Sequence, residues 1–447
     1  MTPLPTQPGP TLEAAGDPYL PGHGNEGFTV TRYELDLDYR VASNRLSGRA
    51  RLHATATADL SRFTLDLAGL RVGKVLVNGR RAGRWSHRAR KLTISTETPV
   101  AVGGALVIDV EYSGQPRPIV GVWGEVGWEE LEDGVIVAAQ PDGAASWFPC
   151  NDRPGDKASF RIAVTTESAY QVLCNGTLTQ RTNQASKVRW VYDQPEPMAP
   201  YLATVQIGRY DLFTTADGPV PQRAAVPPRL RDAFAHDFAR QADMMAVFAE
   251  LFGPYPFAGY CVVVTDDDLE MPLEAQGISV FGANHLDGSR GAERLVAHEL
   301  AHQWFGNSLT VARWQHIWLH EGFACYAEWL WSEGSGGRTA AELARLAWDR
   351  LDRLPQDLVI ADPGPTLMFD DRLYKRGALT LHALRVALGD GAFFDLLRTW
   401  GSAHRHGSVT TEEFLQSAAR FARRPVDGLL RSWLFEAALP PASDLRR

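Results

Sequence analysis

Tyr33, Leu35, Leu37, Tyr39 and Val41 alternate with Glu34, Asp36, Asp38 and Arg40. A period of two places the apolar set on one face of a strand, so the chain from Phe28 predicts a half-buried β-strand. Similar runs recur at 50–56, at 72–77 ahead of an Asn78-Gly79 turn, and at 106–112, 160–166, 187–192 and 201–210. Repeated short strands between turn signals predict an antiparallel, sandwich-like β-domain. Ahead of them, the first ~20 residues are expected to be flexible, since they carry too little apolar patterning to pack.

The pattern changes after Phe213. Gly218, Pro219, Pro221, Pro227 and Pro228 punctuate a connector. Helical periodicity follows at 230–252, then an edge-like strand at 260–265, then an apolar helical pattern at Leu295, Val296, Ala297, Leu300 and Ala301. Further helices are predicted at 321–330, 340–354, 377–388, 411–420 and 426–435. The fold class expected is therefore multidomain, β then α+β. The β-domain takes residues 1–214, and a mostly helical domain takes 215–447. No internal repeat is present.

A chain of 447 residues with 45% hydrophobic and 22% charged content is an ordinary soluble globular protein of two or three domains. Its net charge of -8 argues against nucleic acid as a partner. No apolar run approaches the ~20 residues needed to span a bilayer. The start of the chain lacks the basic and apolar regions of a signal peptide, so a cytoplasmic location is expected. Cys150, Cys174, Cys261 and Cys325 are scattered and form no Cys-x-x-Cys, which speaks against a disulfide frame or zinc ribbon. The oligomeric state stays open, and a monomer is compatible with everything above.

Chemistry concentrates at His298-Glu299-Leu300-Ala301-His302. On a helix, positions i and i+4 share a face, so both imidazoles reach one metal ion. Glu299 is rotated by about 100° and points instead toward a water on that metal. Glu321 opens the next helical stretch and is the natural third ligand of a catalytic zinc, which keeps one open position. Glu328, two turns later on the same face, is placed to accept a hydrogen bond from a ligand histidine. Cys325 reads as helix packing. The acidic run Asp266, Asp267, Asp268 and Glu270 reads as a solvated loop.

The flanks carry a resemblance. His298 to Asn307 reads His-Glu-Leu-Ala-His-Gln-Trp-Phe-Gly-Asn, and Trp318-Leu319-His320-Glu321-Gly322-Phe323-Ala324 follows. Together they resemble the M1 (gluzincin) family of zinc aminopeptidases. Phe148-Pro149-Cys150-Asn151-Asp152-Arg153-Pro154 is similar to a segment of that family's β-domain, and Gly24-Asn25-Glu26-Gly27-Phe28 to the start of its bacterial members. The resemblance implies a thermolysin-like catalytic domain holding one zinc ion per chain on His298, His302 and Glu321, with Glu299 as general base. It implies that Tyr374, in Tyr374-Lys375-Arg376-Gly377, donates to the oxyanion. It further implies that Glu274, assisted by Gln140, binds the free N-terminal ammonium of a peptide substrate, and that Met271 and Ala275 contact substrate. Departures are present. Met271 and Ala275 replace the Gly and Asn of the family's Gly-x-Met-Glu-Asn strand, Arg376 replaces a Lys, and His316 and His320 stand where acidic and Asn residues are usual. Either histidine has two readings, as a group orienting or binding zinc or as a packing residue. The chain ends just after Trp433-Leu434-Phe435, which resembles the close of the catalytic domain, so a two-domain form without the helical C-terminal domain is expected. Two other functions remain open: a zinc hydrolase of another class, endopeptidase or epoxide hydrolase, and a non-catalytic scaffold.

Overall fold

The alternation of the first half is realised as paired sheets; the computed structural model describes residues 16–446. Strand Phe28–Arg40 buries Tyr33, Leu35, Leu37 and Tyr39 completely and turns Asp36 and Asp38 outward to Arg189 and Lys187, at 2.7 and 2.6 Å. It lies inside an eight-stranded sheet ordered Thr177–Gln184, Lys187–Met198, Ala158–Glu167, Phe28–Arg40, Arg45–Ala56, Ala105–Gly114, Arg71–Val77 and Arg80–Arg81. The predicted turn closes the last hairpin with Asn78 and Gly79 at φ of 51° and 77°, the left-handed pair that a two-residue I′ turn demands.

The expected antiparallel arrangement is broken once. Phe28–Arg40 runs parallel to Ala158–Glu167, with Arg32 opposite Ser159. The two strands are distant in sequence, so no hairpin sets their relative direction. A five-stranded sheet of Gln171–Cys174, Val205–Gly208, Gly134–Ala138, Gly124–Leu131 and Ile119–Gly121 and a three-stranded sheet of Leu60–Asp66, Lys91–Val100 and Arg84–Arg88 complete the β-rich half. The strand predicted at 201–210 shortens to Val205–Gly208, because Pro200 opens a 3-10 turn first. Strand Asp211–Asp217 pairs with Pro221–Val226 and so belongs to the sheet of the second half. The junction expected between 214 and 215 falls inside that strand, and we propose a boundary just before Asp211.

The second sheet runs Asp211–Asp217, Pro221–Val226, Tyr260–Val264, Ile278–Phe281, Leu273–Ala275. Tyr260–Val264 is its centre rather than an edge, with parallel partners on both sides. Its unbroken Val262-Val263-Val264 run is what a strand covered on both faces requires. Among the described residues nine α-helices follow: α1 (Arg231–Asp237), α2 (Gln241–Phe252), α3 (Glu293–Ala301), α4 (Trp318–Gly334), α5 (Ala340–Leu351), α6 (Asp371–Leu388), α7 (Asp390–Ala403), α8 (Thr411–Phe421) and α9 (Asp427–Phe435). The single helix predicted at 230–252 is two, since Phe238 leaves helical geometry to stack on Phe234 and pack on Phe281. Helix α6 starts six residues before the predicted 377, because the Asp370 carboxylate accepts the Arg372 N–H at 2.9 Å and caps it there. No helix among the described residues is long and apolar enough to cross a membrane.

The two halves are stitched together around the site. Most of the expected flexible start, residues 1–15, lies outside the described residues, but from Gly16 onward the chain is held. Asp17, Tyr19 and Leu20 are buried. The Asp17 carboxylate accepts the Trp314 N–H at 2.5 Å, and the Tyr19 hydroxyl donates to Asp362 and accepts the Gly364 N–H at 2.8 Å. Asn25 and Asn151 bond reciprocally, at 2.7 and 3.1 Å, so the two β-domain segments that resemble the family meet as a structural seam. Lys157 of the β-half donates to the carbonyls of Asn307, Ser308 and Gly407 at 2.8–3.2 Å, anchoring the turn that follows α3.

Candidate metal centre

His298 sits on α3 and His302 at its C-terminal cap, so their rings share one face with centroids 4.8 Å apart. The first turn of α4 brings Glu321 opposite, where its Oε2 lies 3.5 Å from the Nε2 of each histidine. Two donors 2.0–2.1 Å from a tetrahedral zinc stand about 3.3–3.4 Å apart, so both carboxylate–imidazole spacings suit that ion. The outer nitrogens are engaged. His298 Nδ1–H donates to Glu328 Oε1 at 2.7 Å, and His302 Nδ1–H to the Phe305 carbonyl at 3.0 Å. Both bonds leave the Nε2 lone pairs facing the metal position.

The charge balance also favours a cation. Burial opposes protonation of the imidazoles, yet Glu321 and Glu328 lift His298 to about 10, and Glu274 and Glu321 lift His302 to about 9. Burial disfavours a charged Glu321, but the two imidazoles outweigh it and hold the carboxyl well below the ordinary carboxylate range. A field that binds protons this strongly binds a divalent cation for the same reason.

Glu299 stands outside the His298, His302 and Glu321 donor group. Burial pushes its carboxyl up to about 7 against the pull of His298, with the charge of Glu274 adding to the rise. Its Oε2 is buried without a hydrogen-bond partner, and its donor atom lies within 4.8 Å of donor atoms on Glu274 and His302. Glu274 reaches the cleft from Leu273–Ala275, the edge strand of the second sheet, paired with Ser279. Tyr374 stands in the first turn of α6 with its ring 6.1 Å from that of His298 and nearly parallel to it. Burial and the carboxylates of Glu321, Glu274 and Glu299 raise its phenol well above the ordinary value, so it remains a hydrogen-bond donor. Its placement depends on a glycine crossing. A Cβ on Gly322 or Gly377 would come within 2.7–2.8 Å of the other's Cα, so α4 and α6 touch backbone to backbone one turn from Tyr374.

A cleft of about 750 Å³ joins these groups. His298, Glu299, His302, Glu321 and Tyr374 line it, as do Gln140 and Glu274 from another direction. The buried Nε2 of Gln140 has no partner. Met271 lies at the rim, 62% exposed. The Ala275 side chain is buried in a small apolar cluster with Ile136, Ile278 and Val280, and its carbonyl accepts from Gln303 Nε2 and Asn307 Nδ2 at 3.1 and 3.0 Å. Neither extra histidine faces the metal. His320 Nε2 accepts the Val311 N–H at 2.9 Å, and His316 Nδ1 pairs with the Thr411 hydroxyl at 3.0 Å. Cys325 is fully buried, in keeping with packing. Of the acidic run, Asp266 pairs with Arg229 and Asp267 accepts the Glu132 N–H, while Asp268 and Glu270 line the cleft.

Sequence reasoning passed over Gln303 and Asn307 as functional residues. With the Gln303 Oε1 accepting the Gly277 N–H at 2.8 Å, they fasten the Glu274 strand to the motif helix. Their position directly after His302 was the available signal. Lys157 left none, because its partners are backbone carbonyls remote in sequence.

Comparison with known proteins agrees with this geometry. The family model for the peptidase family M1 domain matches residues 236–433, and that for the peptidase M1 N-terminal domain matches 29–202. A leucyl aminopeptidase of Saccharolobus solfataricus is 24% identical over 438 residues, 92% of this chain and 54% of its own length. Aminopeptidase M1 of Arabidopsis thaliana is 25% identical over 468 residues, 96% of this chain and 52% of its own. The chain thus spans about half the length of these curated relatives. The crystal structure of an M1 zinc metallopeptidase from Deinococcus radiodurans superimposes with a TM-score of 0.88 at 30% identity, covering 96% of this chain and 98% of that one. A mutant of that protein is described bound to a Tyr-Ser-Ala substrate.

Proposed function

We infer that this chain, which belongs to peptidase family M1, hydrolyses the first residue from peptides with a free N-terminus. The observation that carries the reading is the meeting in one cleft of the His298, His302 and Glu321 donor set with Glu274, a carboxylate outside that set. A metal site alone suits many hydrolases. A further carboxylate beside it suits one whose substrate carries an ammonium at that point.

His298, His302 and Glu321 hold zinc, which when bound acts as a Lewis acid, making water more acidic and polarising a carbonyl. Glu274 binds the N-terminal ammonium, and Gln140 assists through its amide oxygen. That anchor sets the register, with the first peptide bond beside Glu299. Glu299, made basic by burial, takes the proton of the attacking water and returns it to the leaving amine. The Tyr374 hydroxyl donates to the carbonyl oxygen as negative charge develops there. Glu328 holds the His298 ring in orientation through the 2.7 Å bond to Nδ1. Met271 shapes the rim near the first side chain. Because four free thiols, three of them buried, suit a reducing compartment, we place the protein in the cytoplasm.

The test compares a peptide with its N-acetylated form. The free amine is expected to be cleaved from its N-terminus and the acetylated form spared. Equal cleavage of both would point to an endopeptidase, and cleavage of neither by zinc-loaded protein would point to a scaffold.

A further inference from the structure

We propose that Arg294 and Lys375 bind the C-terminal carboxylate of the substrate and so select peptides of two or three residues. The proposal rests on the aminopeptidase reading and extends it to the other end of the substrate.

The cleft is electrically asymmetric along α3. Glu274 and Glu299 gather at the His302 end. Arg294 stands one turn before His298, on the same helix face and at the opposite end. Lys375 follows Tyr374 on α6, and both cations line the cleft. They also line a second cavity of about 470 Å³ behind it, so together with Glu328 they form the sill between the two spaces.

The charges on this sill do not cancel. Arg294 pairs with Glu328 at 3.0 Å, and the same carboxylate oxygen accepts from His298. Asp371, the other acid on this wall, pairs with Arg350 at 3.0 Å. Lys375 contacts the Cys325 sulfur at 3.3 Å and has no carboxylate within ion-pair distance among the described residues. One positive charge is left over. The Arg294 side chain is 58% exposed and retains unused N–H donors on the sill it shares with Lys375.

Distance sets the substrate length. Four residues of helix advance about 6 Å. An extended peptide covers ~3.3–3.6 Å per residue. A carboxylate one or two residues beyond the scissile bond therefore arrives at the sill, whereas a longer chain must carry an uncharged peptide group past it.

The experiment measures kcat/KM for a free-acid dipeptide, its C-terminal amide and a longer peptide with the same first residue, on zinc-loaded full-length protein at low and high salt. The free acid is expected to exceed its amide by ~10-fold, mostly through KM, as one charge-assisted contact implies. The preference should shrink at high salt, because the sill is partly exposed. In Lys375→Met the ratio of acid to amide should fall toward one. Equal rates for acid and amide in the wild type, or an unchanged ratio in Lys375→Met, would overturn the clamp and leave the aminopeptidase reading standing. Failure to cleave any of the three would overturn both. The acid-to-amide ratio of the wild type decides the matter even if the variant folds poorly.

Discussion

The two walls of the cleft are built to different tolerances. On the metal wall the two imidazoles and Tyr374 are fastened from behind. His298 is held by Glu328, His302 by the Phe305 carbonyl, and Tyr374 by the contact of Gly322 with Gly377. On the amine wall Glu274 is held only through its strand, by way of Gln303 and Asn307, and the Gln140 amide nitrogen has no partner at all. The difference follows from what each wall binds. A metal ion accepts a narrow range of ligand geometry, so its donors must be fixed before it arrives. A flexible peptide brings its own hydrogen-bonding groups, so the wall that receives it keeps open valences.

The severest test of this contrast removes the proposed general base. Glu299→Ala should lower kcat by ~10²–10⁴-fold, the usual range for a lost acid–base group, while zinc content by elemental analysis stays at one per chain. Retained zinc would confirm that Glu299 lies outside the ligand set. Loss of zinc in this variant would place it inside the set and refute the division of roles.

Tyr374→Phe is the next largest effect. It deletes one donor to the oxyanion and leaves the ring beside His298, so kcat should fall by ~10²–10³-fold with a modest change in KM. An unchanged kcat would remove Tyr374 from the chemistry.

The same contrast explains what could be read from the sequence. His298, His302, Glu321 and Glu328 lie on two adjacent helices, and helical periodicity alone places them on facing surfaces. Glu274 comes from an edge strand of the second sheet and Gln140 from the turn after Gly134–Ala138 of another sheet, so no spacing connects them and only resemblance to a family could pair them. The side chain of Ala275, a strand neighbour of Glu274, alternates to the other face and packs against Ile136 and Ile278. The edge position given to Tyr260–Val264 failed for a related reason: strand order depends on parallel crossovers between distant segments, and those leave no local mark. His316 and His320 each have two readings in the sequence, and their hydroxyl and backbone partners favour packing.

The smallest expected effect is the most specific to the amine wall. Gln140→Ala deletes a neutral acceptor for the ammonium, a bond to a charged group worth ~1.5–3 kcal/mol. KM for a free-amine substrate should rise by ~10–100-fold with kcat nearly unchanged, because Glu274 still sets the register. Melting temperature should hardly move, since the amide nitrogen that is removed makes no hydrogen bond to lose. His298 and His302 cannot behave this way, because each is bonded from behind and its removal disturbs a partner. If Gln140→Ala instead lowers both the melting temperature and kcat, the residue belongs to the scaffold, and the ammonium is held by Glu274 alone.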